Sequence, residues 1–168
     1  MINSIIRYTI IFIILILLQV LVLNNIQFSG YINPYIYIML ILLLPVEISP
    51  WLLLVISFFT GLTVDFFVGT PGLHTSATVL SGFLRPYVLR LISPRDGYDP
   101  GAIPSMEIYG FRWFLFYTVI IVLIHHFALF YLEVFRFTDF LRTLLRVLLS
   151  ALFSVTFILL AEYYRRDR

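Results

Sequence analysis

Two residue types that most chains use freely are missing here. There is no cysteine, which excludes disulfides, cysteine–metal sites and thiol catalysis. There is no lysine either, so all eleven positive residues are arginine. Charge of both signs is scarce, at 12% of 168 residues, and no Asn-X-Ser/Thr acceptor occurs. The arginines are spread along the chain and do not gather into one basic face, which removes the main signature of a nucleic-acid binder. No G-x-S-x-G, H-E-x-x-H or phosphate-binding glycine loop is present, so no catalysis is expected.

What is there in abundance is apolar surface. The chain is 61% hydrophobic, with a mean hydropathy of +1.02. A soluble domain is roughly 45–50% apolar on a similar count, and no water-facing surface could cover the excess. The class is therefore an all-α, polytopic membrane protein of one domain. The N-terminal apolar run is too long for a signal-peptide core and no A-x-A site follows it, so it reads as an uncleaved first span.

Spans of about 20 apolar residues are expected in a typical bilayer. Six can be placed, at about 5–23, 35–46, 51–67, 73–92, 111–132 and 141–163. The second is short and stops at Pro45, since proline breaks helix continuation. If it were re-entrant, the count would be five. The fourth is the least apolar, and the Pro-, Gly- and charge-rich stretch after it is a loop. With six spans both termini share a side, together with Arg7, Arg90, Arg95, Arg112, Arg165, Arg166 and Arg168; Arg136, Arg142 and Arg146 fall opposite. That excess places both termini in the cytoplasm. Trp51, Trp113 and several tyrosines fall at the expected interfaces.

Against this background a few polar residues stand out. An ionisable group at mid-span costs roughly 2.5–3.5 kcal/mol on insertion scales, and so tends to face a protein interior. Ser57, Gly61 and Asp65 recur every four residues, forming one stripe on span three. Small residues in such a stripe let another helix approach. Asp65 lies near the outer end, where a carboxylate can cap the following helix. Thr75, Thr78, Gly82 and Arg85 share a face of span four, which begins at His74. Arg85 is eleven residues further on, roughly 16 Å deeper in a helix. An Asp65–Arg85 bond would need Arg85 to reach outward. Arg142, Arg146, Ser150 and Ser154 form a further stripe on span six, suited either to lipid headgroups or to a partner helix. His125 and His126 invite a metal reading, but zinc needs at least three protein ligands, and no third has a recognisable spacing. A hydrogen-bonded interior pair fits better. No metal or cofactor is expected.

The stretch from Pro45 through "GLTVDFFVGTPGLHTSA" resembles the MreD family of rod-shape-determining membrane proteins. The matching positions are Pro45, Gly61, Leu62, Asp65, Gly69, Gly72, Leu73 and Ala77. Chain length, the N-terminal first span and the arginine-rich tail also match; His74 and the "RDGYDPG" insert depart from the pattern. The resemblance implies a non-catalytic subunit of the bacterial cell-elongation machinery in the inner membrane. It implies binding to a single-span coiled-coil MreC-like protein, and through it a link to the MreB filament and to the RodA polymerase–transpeptidase pair that builds peptidoglycan. It further implies a six-helix bundle similar to the substrate-binding S components of energy-coupling-factor transporters. The alternative function is such an S component, for a vitamin or a metal. On the MreD reading, Ser57, Gly61 and the turn through Gly69, Gly72 and His74 form the expected docking surface, with Arg85 buried in the bundle.

Overall fold

The computed structural model describes residues 2–25, 32–135 and 140–166, with the side chains of 2–4 and 166 left aside. The expectations for Arg136 and Arg168 fall outside the described residues, as does that for the Arg166 side chain. The described residues are helical apart from short connections. Their helices are α1 (Ile2–Leu21), α2 (Met39–Leu43), α3 (Pro50–Val68), α4 (Leu73–Leu91), α5 (Met106–Tyr109), α6 (Phe111–Val134) and α7 (Phe140–Arg166), with a 3-10 turn at Leu23–Asn25. Four stretches are long and apolar enough to cross a membrane: Ile5–Asn25, Pro50–Val68, Phe111–Val134 and Phe140–Arg165. The chain is a multi-pass membrane protein by that measure.

Helix boundaries follow local chemistry. Pro50 opens α3 at a position whose N–H would have no intrahelical partner, and Gly69 closes it in the left-handed conformation, at φ 75°. Ser105 caps the single turn of α5 by accepting from the Ile108 N–H at 3.2 Å. The loop after α4 therefore carries a helical turn that its Pro and Gly content hides.

The second expected span, 35–46, is corrected by the structure. It is helical only over Met39–Leu43, and residues 33–36 before it belong to no regular element. Leu44 is extended at ψ 150°, as the residue before a proline tends to be. Yet this is the most enclosed part of the protein, with every residue from Ile36 to Leu44 buried. It runs antiparallel to α1. Near one end, the Gln19 amide donates to the Pro34 carbonyl at 3.1 Å and accepts from the Ile36 N–H at 2.9 Å. Near the other, the Tyr8 hydroxyl donates to the Leu43 carbonyl at 3.3 Å. Non-helical backbone inside a membrane protein must find partners within the protein. Here α7 supplies two: the N–H groups of Asn33 and Tyr35 donate to the hydroxyls of Ser150 (3.1 Å) and Ser154 (2.8 Å). The serine stripe of α7 is thus spent on this non-helical segment.

The apolar helices surround this core. α1 is exposed along most of its length, from Ile5 to Val22, as a helix facing hydrocarbon would be. The most extensive packing is between α3 and α4, followed by α4 with α6 and α6 with α7. α4 is long enough to cross but too polar to qualify by composition.

Candidate functional site

Two polar centres and the seam between them occupy the interior. The first is the corner joining α3 to α4. Both oxygens of Asp65 are engaged. Oδ1 accepts from the Thr70 hydroxyl (2.9 Å) and the His74 N–H (3.0 Å). Oδ2 accepts from the Gly72 N–H (3.1 Å), the Thr75 N–H (2.9 Å) and the Thr75 hydroxyl (2.6 Å). The first N–H groups of a helix have no intrahelical acceptor, and its dipole favours an anion there. Asp65 meets both needs from the preceding helix. Gly69 and Gly72, at φ 75° and 86°, let the connecting backbone turn tightly enough to bring α4 under the carboxylate.

Close helix contact completes the corner. A Cβ at Gly61 would stand 2.5 Å from the Thr75 Cα and 2.7 Å from the His74 carbonyl oxygen. A Cβ at Gly82 would stand 2.2 Å from the Ser57 Oγ. The Ser57–Gly61 stripe, expected to receive a partner helix, instead receives α4 of the same chain. The stripe is buried, while Leu62 next to it faces outward. Leu73 is partly covered and Ala77 is buried.

The second centre surrounds Arg85, whose side chain is fully buried at 0% exposure. Its guanidinium donates to the carbonyls of Leu44 and of Pro45 (3.2 Å), and its Nε to the Tyr117 hydroxyl at 2.7 Å. The Tyr117 hydroxyl donates in turn to the Leu42 carbonyl at 3.2 Å. These are carbonyls at the end of the five-residue α2, which cannot continue into Pro45. A cation at a helix C-terminus is favoured by the dipole as well. Asp65, from α3, therefore serves the start of α4, and Arg85, well along α4, serves the end of α2, with no bond between them.

Between them runs a seam of hydrogen-bonded rings. The Tyr37 hydroxyl lies 2.9 Å from His74 Nδ1 and 2.6 Å from His125 Nε2. His126 Nδ1 lies 2.9 Å from the Val122 carbonyl and 3.4 Å from His125 Nδ1, and its Nε2 lies 2.9 Å from the Ser154 Oγ. The protons can be placed by elimination. A carbonyl only accepts, so His126 carries its proton on Nδ1, and its Nε2 accepts from the Ser154 hydroxyl. His125 Nδ1 then faces an N–H and must be the bare nitrogen, which puts the His125 proton on Nε2, donating to Tyr37. The Tyr37 hydroxyl donates onward to His74 Nδ1, leaving the His74 proton on Nε2. All three imidazoles are neutral in this scheme. They form an interior hydrogen-bonded set, and among the described residues no group of three His, Asp or Glu has metal-holding geometry.

The seam ends at a cavity of about 210 Å³ on the Asp65 side. His74, Tyr35, Glu133 and Arg146 contribute its polar lining, with Leu23, Val68 and Leu129 among its apolar walls. Arg146 Nη1 pairs with Glu133 Oε2 at 3.0 Å, and the Arg146 guanidinium lies 4.2 Å from the centre of the Phe130 ring. With the Asn33 amide turned to suit its neighbours, its oxygen accepts from Arg146 Nη2 at 2.9 Å.

Tyr37 and Tyr117 were not singled out by sequence reasoning, and Tyr35 was read only as an interfacial aromatic at the start of span two. In a chain with eleven tyrosines, none has a neighbour pattern that marks it. Gln19 had a legible signal, as the lone polar residue in the otherwise apolar run from Ile10 to Leu23. Comparison with family models, curated proteins and solved structures returns no match for this chain.

Proposed function

We propose that this chain is an MreD-type subunit of the cell-elongation machinery, a membrane scaffold that holds an MreC-like partner and catalyses no reaction itself. The observation that carries the reading is the α3–α4 corner. Gly61, Asp65, Gly69 and Gly72, all residues of the resemblance, act together there on one piece of backbone. The ionisable groups of the interior are spent in the same way. Asp65 and Arg85 bind backbone termini, and the histidines bind tyrosine, serine and carbonyl groups. That is the chemistry of a rigid body.

In this reading the chain crosses the inner membrane six times, with both termini cytoplasmic. Four apolar helices face lipid. The polar α4 and the enclosed segment 33–44 cross in their shelter, where irregular backbone is tolerated because protein surrounds it. The plan is similar to that of an S-component bundle. Both small-residue stripes are occupied internally, so the partner docks on the outward surface. Through it the chain is tied to the MreB filament and the RodA–transpeptidase pair.

The test is co-purification of an MreC-like single-span protein with the intact chain from gently solubilised membranes, alongside depletion in a rod-shaped host. Capture of that partner and rounding of depleted cells are expected. Depleted cells that stay rod-shaped, with wall synthesis unchanged, would sink the reading. A reporter active only outside the cytoplasm, fused after Arg168, should stay silent; activity there excludes six passes.

A further inference from the structure

The cavity beside His74 holds groups that the scaffold role leaves unused. Arg146 is largely covered, at 20% side-chain exposure, and both its terminal nitrogens are engaged. Its Nε is buried and has no hydrogen-bond partner among the described residues. Buried donors in native proteins are nearly always satisfied, so such an atom asks for an acceptor beyond the described residues. His74 is 2% exposed and lines the same cavity. Its Nδ1 is taken by Tyr37, and the proton scheme above leaves an N–H at Nε2 with no partner among the described residues. The two unmet donors belong to residues that line one cavity, and a pair of anionic oxygens there would answer both.

Charge narrows the class further. Arg146 is already neutralised by Glu133, so a bare anion would bring an uncompensated charge into a half-enclosed space, at a cost. Glu133 offers a remedy: Oε2 holds Arg146, while Oε1 accepts no hydrogen bond from the described residues. An ammonium on the ligand would fill that position and keep the site neutral. We infer that this cavity binds a small zwitterionic group, its acidic oxygens on Arg146 Nε and His74 Nε2 and its primary ammonium on Glu133. The volume of about 210 Å³ and the apolar walls at Leu23, Val68 and Leu129 leave room for a modest apolar substituent. A free amino acid and the ethanolamine headgroup of a phospholipid share this chemistry. The inference stands apart from the scaffold reading and concerns a ligand that the scaffold carries.

The test uses the full chain in phosphatidylcholine nanodiscs, whose quaternary ammonium has no N–H to give Glu133. In one arm glycine or L-leucine is added. In the other, phosphatidylethanolamine replaces part of the lipid. Expected is a rise in the unfolding midpoint of about 5 °C or more in one arm, as a ligand in roughly hundredfold excess over its Kd produces in a chain this size. The arm that responds identifies the source. 4-Methylpentanoate, which lacks the ammonium, and isoamylamine, which lacks the carboxylate, should give little shift. Glu133 is 40% exposed, so Glu133→Gln should fold normally and lose most of the response; Arg146→Gln should lose it too. Silence in both arms overturns the inference and leaves the cavity to water. So does a response to 4-methylpentanoate equal to that to leucine, or a Glu133→Gln protein that responds like the wild type.

Discussion

Two charges at α4 solve the same problem with opposite signs. At its start, Asp65 gathers the N–H groups of Gly72, His74 and Thr75, and all its partners lie within ten residues along the chain. Well along it, Arg85 gathers the carbonyls of Leu44 and Pro45, about forty residues back. A carboxylate at a helix N-terminus and a guanidinium at a helix C-terminus are both favoured by the backbone dipole. The difference is what each one holds. Asp65 fixes a local corner, which two glycines already make easy to form. Arg85 pins a segment only five residues long in its helix, with only a few backbone bonds between Ile36 and Leu42 to hold it in place. Isolated helices that short are unstable, so the long-range bond should matter more.

Removing Arg85 is accordingly the change with the largest expected effect. Arg85→Leu strands the buried Leu44 carbonyl and the partly buried Pro45 carbonyl, and leaves the Tyr117 hydroxyl with the Leu42 carbonyl alone. At about 1–3 kcal/mol for each unmet group, partly relieved by relaxation, a loss of about 4 kcal/mol is expected. Thermal unfolding in mild detergent measures it. Arg85→Lys keeps the charge without the planar fork and should recover part of the loss. If Arg85→Leu unfolds within a degree or two of the wild type, the pinning role is wrong.

Asp65 should come next. Asp65→Leu leaves three N–H groups and two hydroxyls without their acceptor, for about 3 kcal/mol. Asp65→Asn retains one acceptor oxygen but turns an amide N–H toward donors, for about 1–2 kcal/mol. The comparison between the two charges reverses if Asp65→Leu proves costlier than Arg85→Leu under the same conditions.

Smaller effects separate packing from charge at the corner. The Cβ of Gly61→Ala would meet backbone at 2.5 Å, which cannot yield locally, so about 2 kcal/mol is expected. The Cβ of Gly82→Ala would meet the Ser57 hydroxyl, a movable group, and should cost about 1 kcal/mol. Adding Ser57→Ala should restore most of that loss. A double variant no better than Gly82→Ala alone would place the strain elsewhere. The smallest effect belongs to Tyr37→Phe, which breaks the seam between His74 and His125 at about 1 kcal/mol. Hydrogen exchange along α4 and α6 should rise in that variant, and unchanged exchange would deny the seam a stabilising part.

Much of this was readable in the sequence because it depends on near neighbours. The ends of α3, α4 and α6 fall within two residues of their expected positions, since proline, glycine and apolar run length act over a single turn. The capping role of Asp65 was legible for the same reason. Its glycine-bearing turn and the helix it caps are adjacent in the chain. The stripes were visible as well, but not what would fill them. Four-residue spacing shows that a face is small; whether it meets α4 or another protein is decided by how the bundle closes.

The sequence by itself determined that this is a helical, membrane-embedded chain, because no arrangement of so much apolar surface and so few charges suits water. It determined the corner at Asp65, where spacing alone brings donor to acceptor. Only the tertiary structure decided that the second apolar stretch is helical for just five residues and buried from Ile36 to Leu44. Composition records how apolar a segment is, and says nothing of whether its backbone N–H groups find carbonyls within the segment or the Ser150 and Ser154 hydroxyls of another helix. Only the tertiary structure decided, too, that Arg85 meets Leu44 and Pro45 and that all three histidines join one seam. Those contacts span from tens to more than a hundred residues, and a sequence shows which groups need partners without showing who they are.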